Sequence, residues 1–445
     1  MKKILLWLVT LMLVATFSLV GCKAAPVAVE PVVEEEAPAV VEEVEEEVVT
    51  EVPVELVVMW GGWPEEQVTP LMDAFMQKYP NVRLRVERVP FSELYQTLDI
   101  RLGVRTSTPD IYSVDCSLTG YYVSGGHLLD LDPVYGDELN DFVEAAREAG
   151  TYQGKLYSAP FASSSQLLFY NKDLFEKAGI EPPAADVNQR WTWEKVVEVA
   201  KQLNDPAKGI WGLAIEQVDP YQILPLPQSK GAEVLSSDGF TATGYVNSPK
   251  YVEALQFYQK LFTDWKISPA GNLGTAGMGE IFGTGQVAMI IGGTWNLTST
   301  GWARFPDLNW GSAPHPYFEG GKAVTPTGSW HIGINPRTAH IEEAINFVKF
   351  MTSDEIIKKW FELRGYCPTK TAVYDMMPDV FDSPAWKIVF YELGNTAVPR
   401  PLSPGYRYYQ DIIQRGLLDI QTGADVQEML DKAAADFDKA VEKYK

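Results

Sequence analysis

The sequence predicts an α/β protein with a mostly parallel sheet and about two domains. Short apolar or alternating runs take turns with runs of helical periodicity, the pattern of strand–helix units. The 445 residues, 46% of them hydrophobic, exceed one ordinary core. They suit about two domains of roughly 150–200 residues each. The 19 Phe, 21 Tyr and 13 Trp argue against a largely disordered chain.

The N-terminus reads as a targeting segment. Met1-Lys2-Lys3 is positive, Ile4 to Val20 is apolar, and Leu19-Val20-Gly21-Cys22 follows. A short apolar run ending in small residues is a signal peptide, residues 1–21. A run of this length could also just span a bilayer. Cys22 favours the first reading, because Leu-Val-Gly-Cys resembles the lipobox of bacterial lipoproteins, in which the thiol receives a lipid. Residues 24–55 hold eleven Glu and no Lys or Arg. Pro26, Pro31, Pro38 and Pro53 discourage helix, and the glutamates repel one another. Residues 22–53 are therefore expected to be a lipidated Cys and an acidic, extended tether, with a short frayed helix near 42–49 as the alternative.

Lys2, Lys3 and Lys23 carry +3 and those glutamates −11, so the remaining chain carries −14 of the net −22. An acidic body argues against nucleic acid or anionic headgroups as partners. Three cysteines are too few for a disulfide scaffold.

The body opens on Glu55-Leu-Val-Val-Met-Trp60, a buried strand that runs into Gly61-Gly62. Val68, Leu71, Met72, Phe75 and Met76 recur at helical spacing up to Tyr79-Pro80. Val82 to Val89 alternates as a second strand, Ser92 to Gly103 is a helix, and Pro109 to Val114 is a third strand ending at Asp115. Gly154 to Pro160 is a turn and a short extended crossing. Gln166 to Tyr170 is a strand, Asn171 to Gly179 a short helix, and Thr192 to Leu203 a helix whose capping box lacks its acid. Further strands are expected at Gly209–Ile215 and Gln286–Ile291. Further helices are expected at Val252–Trp265, Ile341–Met351 and Ser353–Leu363, and the C-terminal stretch Asp425–Tyr444 is amphipathic.

No familiar catalytic signature is present. There is no Gly-x-Ser-x-Gly, no His-Glu-x-x-His and no Walker loop, since Gly320-Gly321-Lys322 is followed by Ala323. His127, His315, His331 and His340 are scattered without metal-ligand spacing. No cofactor and no metal are expected. Trp60, Trp63 and Trp295 stand beside glycines at strand ends, and Trp330 follows Gly328. Ligands in such sheets bind beyond the carboxyl ends of strands. Glycine lets backbone approach a ligand, and a flat indole offers a stacking surface for the C–H face of a sugar. A carboxylate such as Asp115 could accept two hydroxyls.

At this point the sequence resembles the extracellular solute-binding proteins of ABC importers, in their sugar-binding, maltose-binding-protein-like branch. The resemblance rests on six blocks in order, across about residues 55–370. They are Leu56–Trp60; Pro109–Asp115 with Gly125–Pro133; Gly154–Phe161 leading to Phe169–Gly179; Trp191–Glu194; Gly285–Trp295; and Gly365–Thr369. It implies a type II periplasmic-binding-protein-like fold of two discontinuous lobes joined by hinge strands. One lobe would take 54–161 plus 318–366, the other 162–317 plus 367–445, with ligand in the cleft. It also implies a ligand set. Asp115 would bind sugar hydroxyls, Ser164 would stand where maltose-binding protein has a ligand-binding glutamate, and Tyr221 and Trp295 would stack from the second lobe. Trp60, Trp63 and Glu66 would lie in the first-lobe loop, and Trp330 and Arg400 would be further contacts. The implied partners are a carbohydrate and ABC permease subunits, with the membrane reached only through the N-terminal lipid, no nucleic acid, and a monomeric chain. Cys116 and Cys367 could form a disulfide or stay as two buried thiols. A polyamine, phosphate ester or peptide on the same scaffold, or a glycan-active enzyme, are the competing readings.

Overall fold

The computed structural model describes residues 53–271, 274–298 and 301–445. The expected signal peptide, the lipidation at Cys22 and nearly all of the tether lie outside the described residues. The strands, in chain order, begin with β1 (Val54–Gly61), β2 (Val82–Val89) and β3 (Ile111–Asp115). A small hairpin, β4 (Thr151–Tyr152) and β5 (Lys155–Leu156), precedes β6 (Ala159–Pro160). Then come β7 (Gln166–Asn171), β8 (Trp211–Ile215), β9 (Val287–Gly293) and β10 (Trp310–Pro314). Last are β11 (Thr325–Thr327), β12 (Trp330–Ile334) and β13 (Ala397–Pro399).

These strands form two main sheets. The first runs β2-β1-β3-β12-β6, and the second β10-β7-β9-β8. In the first, β1 is parallel to β2 and β3, whereas β12 is antiparallel to both β3 and β6. In the second, β8 and β9 are parallel and β7 is antiparallel to its two neighbours. The chain enters the second sheet at β7 and is back in the first at β12. Parallel β11 and β13 form a separate two-stranded ladder.

Apolar sequence explains the layers. Leu56, Val58 and Trp60 alternate along β1 onto one face. They share a core with Phe75 of the helix Glu65–Lys78 and Phe347 of the helix Ile341–Met351. In β7, Leu168 and Tyr170 face one core while Leu167 and Phe169 face another, as burial of both faces requires. The helix Trp193–Leu203 lies directly on β8. Thr192 caps it by accepting the Lys195 N–H at 3.2 Å, which the incomplete capping box still permits. Gly212 allows that close approach, because an added Cβ would collide with the Ala200 carbonyl.

Sequence reading missed β10, β12 and the helices Pro384–Asn395 and Tyr406–Gln421. β10 reads Trp-Gly-Ser-Ala-Pro, with no alternation, and its Pro is tolerated because the strand is an edge. Cys116 and Cys367 are both free and buried. Cys116 lies beside Arg400, with Sγ to Nη2 at 3.8 Å, and Cys367 beside Thr294, with Sγ to Oγ1 at 3.9 Å. No described helix is long and apolar enough to cross a membrane.

Candidate functional site

The carboxyl ends of β1, β3, β8 and β9 open onto one cavity of about 820 Å³. The antiparallel strands contribute their starts. Trp330 opens β12 opposite Asp115, and Gln166 opens β7 opposite Gly293, with Ser164 two residues earlier. Seven of the nine residues expected in the site line this cavity: Trp63, Asp115, Ser164, Tyr221, Trp295, Trp330 and Arg400. Trp60 and Glu66 do not. Trp60 alternates inward with Leu56 and Val58, and its ring sits 5.6 Å from Phe161 and 6.3 Å from Phe347, centre to centre. Glu66 is exposed on the first turn of its helix.

Aromatic rings wall the cavity from both sheets. On the first side Trp330 lies 5.0 Å from Phe91 and stacks with Tyr95 at 6.5 Å. Trp63 backs them. It is 1% exposed and boxed by Trp60, Phe91, Trp330 and Trp360 at 5.1–5.7 Å. It therefore supports the wall and offers almost no surface of its own. On the second side Tyr221 and Trp295 lie 6.3 Å apart at 37°, and Tyr366, which packs with Trp63 and Trp360 of the first side, approaches Trp295 to 6.2 Å.

The polar groups are arranged differently from the expectation. Asp115 receives Arg400 bidentately, Nη1 to Oδ2 at 3.0 Å and Nη2 to Oδ1 at 2.5 Å. It also accepts from Tyr95 Oη at 2.6 Å, Ser117 Oγ at 3.0 Å and Ser117 N at 3.3 Å. A carboxylate has about four acceptor directions, so these five donors leave none open for a ligand hydroxyl. Burial alone would raise the Asp115 carboxyl, but the Arg400 guanidinium holds it below the usual range. Ser164 is likewise engaged. Its hydroxyl donates to the Gly328 carbonyl at 2.6 Å and lies 2.7 Å from the Tyr221 hydroxyl, which fixes that ring.

Two carboxylates missed in the sequence stand on the second side. Asp219 is half-buried and lines the cavity. It caps the turn Pro220–Ile223 by accepting the Gln222 N–H at 3.0 Å, and among the described residues no Lys or Arg pairs with it. Burial pushes it up to about 6. Of the three aspartates that line the cavity, Asp115 and Asp411 are each paired with an arginine, which leaves Asp219 the freest acceptor. Glu216, immediately after β8, is fully buried behind Trp295 and receives its indole N–H at 3.0 Å. Burial pushes Glu216 up to about 7. A usable signal existed: an acid directly after a buried strand, the same rule that selected Asp115. Among the described residues no group of three His, Cys, Asp or Glu could hold a metal.

Residues 61–358 match the profile of the bacterial extracellular solute-binding proteins. The maltotriose-binding protein of Pyrococcus abyssi is 26% identical over 340 residues, 75% of this chain and 69% of that one. The GacH receptor of Streptomyces glaucescens, solved unliganded and with acarbose, superposes with a TM-score of 0.75 at 26% identity. The match covers 88% of this chain and 98% of the receptor. An ABC substrate-binding protein of Listeria monocytogenes in complex with cycloalternan shares the fold, with a TM-score of 0.77 at 22% identity. That match covers 87% of this chain and 99% of the other.

Proposed function

Because this chain belongs to the bacterial extracellular solute-binding protein family, we propose that it captures a neutral oligosaccharide between two lobes and delivers it to an ABC permease. The lobes are 54–161 with 318–366, and 162–317 with 367–445. Relatives of similar sequence or fold bind maltotriose or acarbose, and the fold neighbour binds cycloalternan.

The observation that carries this reading is the pair of aromatic walls, Trp330 with Phe91 on one side and Trp295 with Tyr221 on the other. Rings of this kind match the apolar faces of pyranoses. Asp219 supplies an acceptor in the same cavity. Four arginines line the cavity, and each is already engaged: Arg400 by Asp115, Arg407 by Asp99 and Asp411, Arg304 by Glu280, and Arg364 by Gln67, to whose Oε1 it donates at 3.0 Å. That favours an uncharged ligand over a phosphate ester, which would need free guanidinium groups.

Ligand touching both walls would stabilise a closed arrangement of the lobes. The chain binds without turning its ligand over. Residues 1–21 direct export, and a lipid on Cys22 holds the protein at the outer face of the membrane, with the acidic tether giving it reach. A thermal-shift screen against mono- and oligosaccharides, glycerophosphodiesters and polyamines tests this. A saccharide at ~100 times its dissociation constant should add about 2.7 kcal/mol of stability and be recovered unchanged. Stabilisation by a polyamine or phosphodiester and by no saccharide would overturn it.

A further inference from the structure

Glu216 is 0% exposed, and among the described residues it faces no cation and all its partners are N–H donors. Oε1 accepts from Trp295 Nε1 at 3.0 Å and from Asn296 Nδ2 at 2.9 Å. Oε2 accepts from Gly293 N at 3.1 Å and from Gln222 Nε2 at 3.5 Å. One carboxylate thus joins the end of β8, the end of β9, the turn that carries Trp295, and the short helix that carries Tyr221. Gly292 leaves room for it, since a Cβ there would lie 3.1 Å from Oε2. An indole N–H directed into this buried pocket has no reason to stay without an acceptor, because an unmet donor is costly.

We propose that Glu216 is the positioning residue of the ligand cavity: it sets the plane of the Trp295 ring, and through Gln222 the seat of Tyr221, so that both rings meet a ligand at a fixed angle. Stacking depends on that angle, and a side chain that touches no ligand then decides which sugar faces fit. This inference rests on the oligosaccharide reading for its effect on binding, but the indole geometry can be read without any sugar.

The test uses the full chain with ¹⁵N-labelled tryptophan, the Trp295 indole resonance being assigned with W295F. In the wild type that N–H should exchange slowly with solvent and sit downfield, as for a bond to a carboxylate. Glu216→Gln should move it and speed its exchange, and the swap E216Q/N296D, which restores an acidic partner, should return it toward the wild-type position. With maltotriose as the probe, E216Q should weaken binding by about tenfold or more, and the swap should recover most of that loss. In a W295F background, E216Q should cost much less, as coupled residues require.

A wild-type Trp295 N–H that exchanges freely overturns the proposal even if no variant folds. So does an equal loss of affinity from E216Q with and without the Trp295 indole. A correct indole signature in a protein that binds no saccharide leaves Glu216 in its role and removes the oligosaccharide reading instead.

Discussion

Arg400 and Asp115 meet in a two-pronged ion pair although 285 residues separate them, and their side chains are only 6% and 7% exposed. The pair joins the end of β3 to the segment that leaves β13, beside the cavity. Arg400→Ala would leave a buried aspartate without its cation, a loss of about 3–5 kcal/mol. Arg400→Lys should recover only part of it, because an ammonium cannot match the planar fork. Urea unfolding of the three proteins checks both points, and a stable R400A would show that the pair is not holding this region together.

Trp295 should behave as a ligand anchor. Replacing it with Ala removes one face of the second wall and should lower oligosaccharide affinity by about 1–3 kcal/mol while the chain stays folded. Isothermal calorimetry measures this directly. Unchanged affinity in the folded variant would take Trp295 out of the site.

Trp60 should behave in the opposite way. It is 1% exposed and packs among Phe161, Phe347 and Trp63. Trp60→Ala empties a core position and should cost about 3–5 kcal/mol of stability. The fraction that remains folded should bind ligand nearly as well as the wild type. Titration at low temperature separates the two effects, and a large affinity loss with little destabilisation would contradict the assignment.

His331 gives a pH prediction with a definite sign. Burial lowers it to about 4, and its Nδ1 lies 3.0 Å from the Ser158 hydroxyl. A buried neutral histidine contributes stability that is fully present above its ordinary value of 6.5 and is lost as pH falls toward 4. Glu216 and Asp219, whose values burial raises, act in the reverse sense: their contribution is present at low pH and lost as pH rises through about 7 and about 6. The wild-type curve therefore mixes both signs, and the difference from His331→Asn isolates one. Between pH 7 and pH 4.5 the wild type should lose about 2–3 kcal/mol relative to that variant in urea melts. A difference independent of pH would mean that His331 is not held neutral.

Local pattern made much of this molecule legible. β1, β2, β3 and β7, and the helix after β1, followed from apolar spacing and Gly or Pro stops, within two residues except at the helix start. β12 did not, because a strand of Trp-His-Ile-Gly-Ile takes its identity from β3 and β6, which pair with it from more than 170 residues away. The cavity shows the same division. Residues after strands, such as Trp295, were visible because strand ends are visible. The neutralisation of Asp115 was not, since nothing near residue 115 announces Arg400. Trp60 and Trp63 looked alike in sequence, and the alternation along β1 separated them: Trp60 continues the buried face begun by Leu56 and Val58, while Trp63 lies past the strand's end.

The place of β12 in the first sheet also bears on how the protein is made. That sheet begins at residue 54 and is completed only when residue 334 has been synthesised. Until then β3 and β6 have no shared neighbour, and their unpaired edges cannot close a stable lobe. A nascent chain therefore carries an incomplete first sheet through most of translation, and a lobe that closes only once β12 has been made.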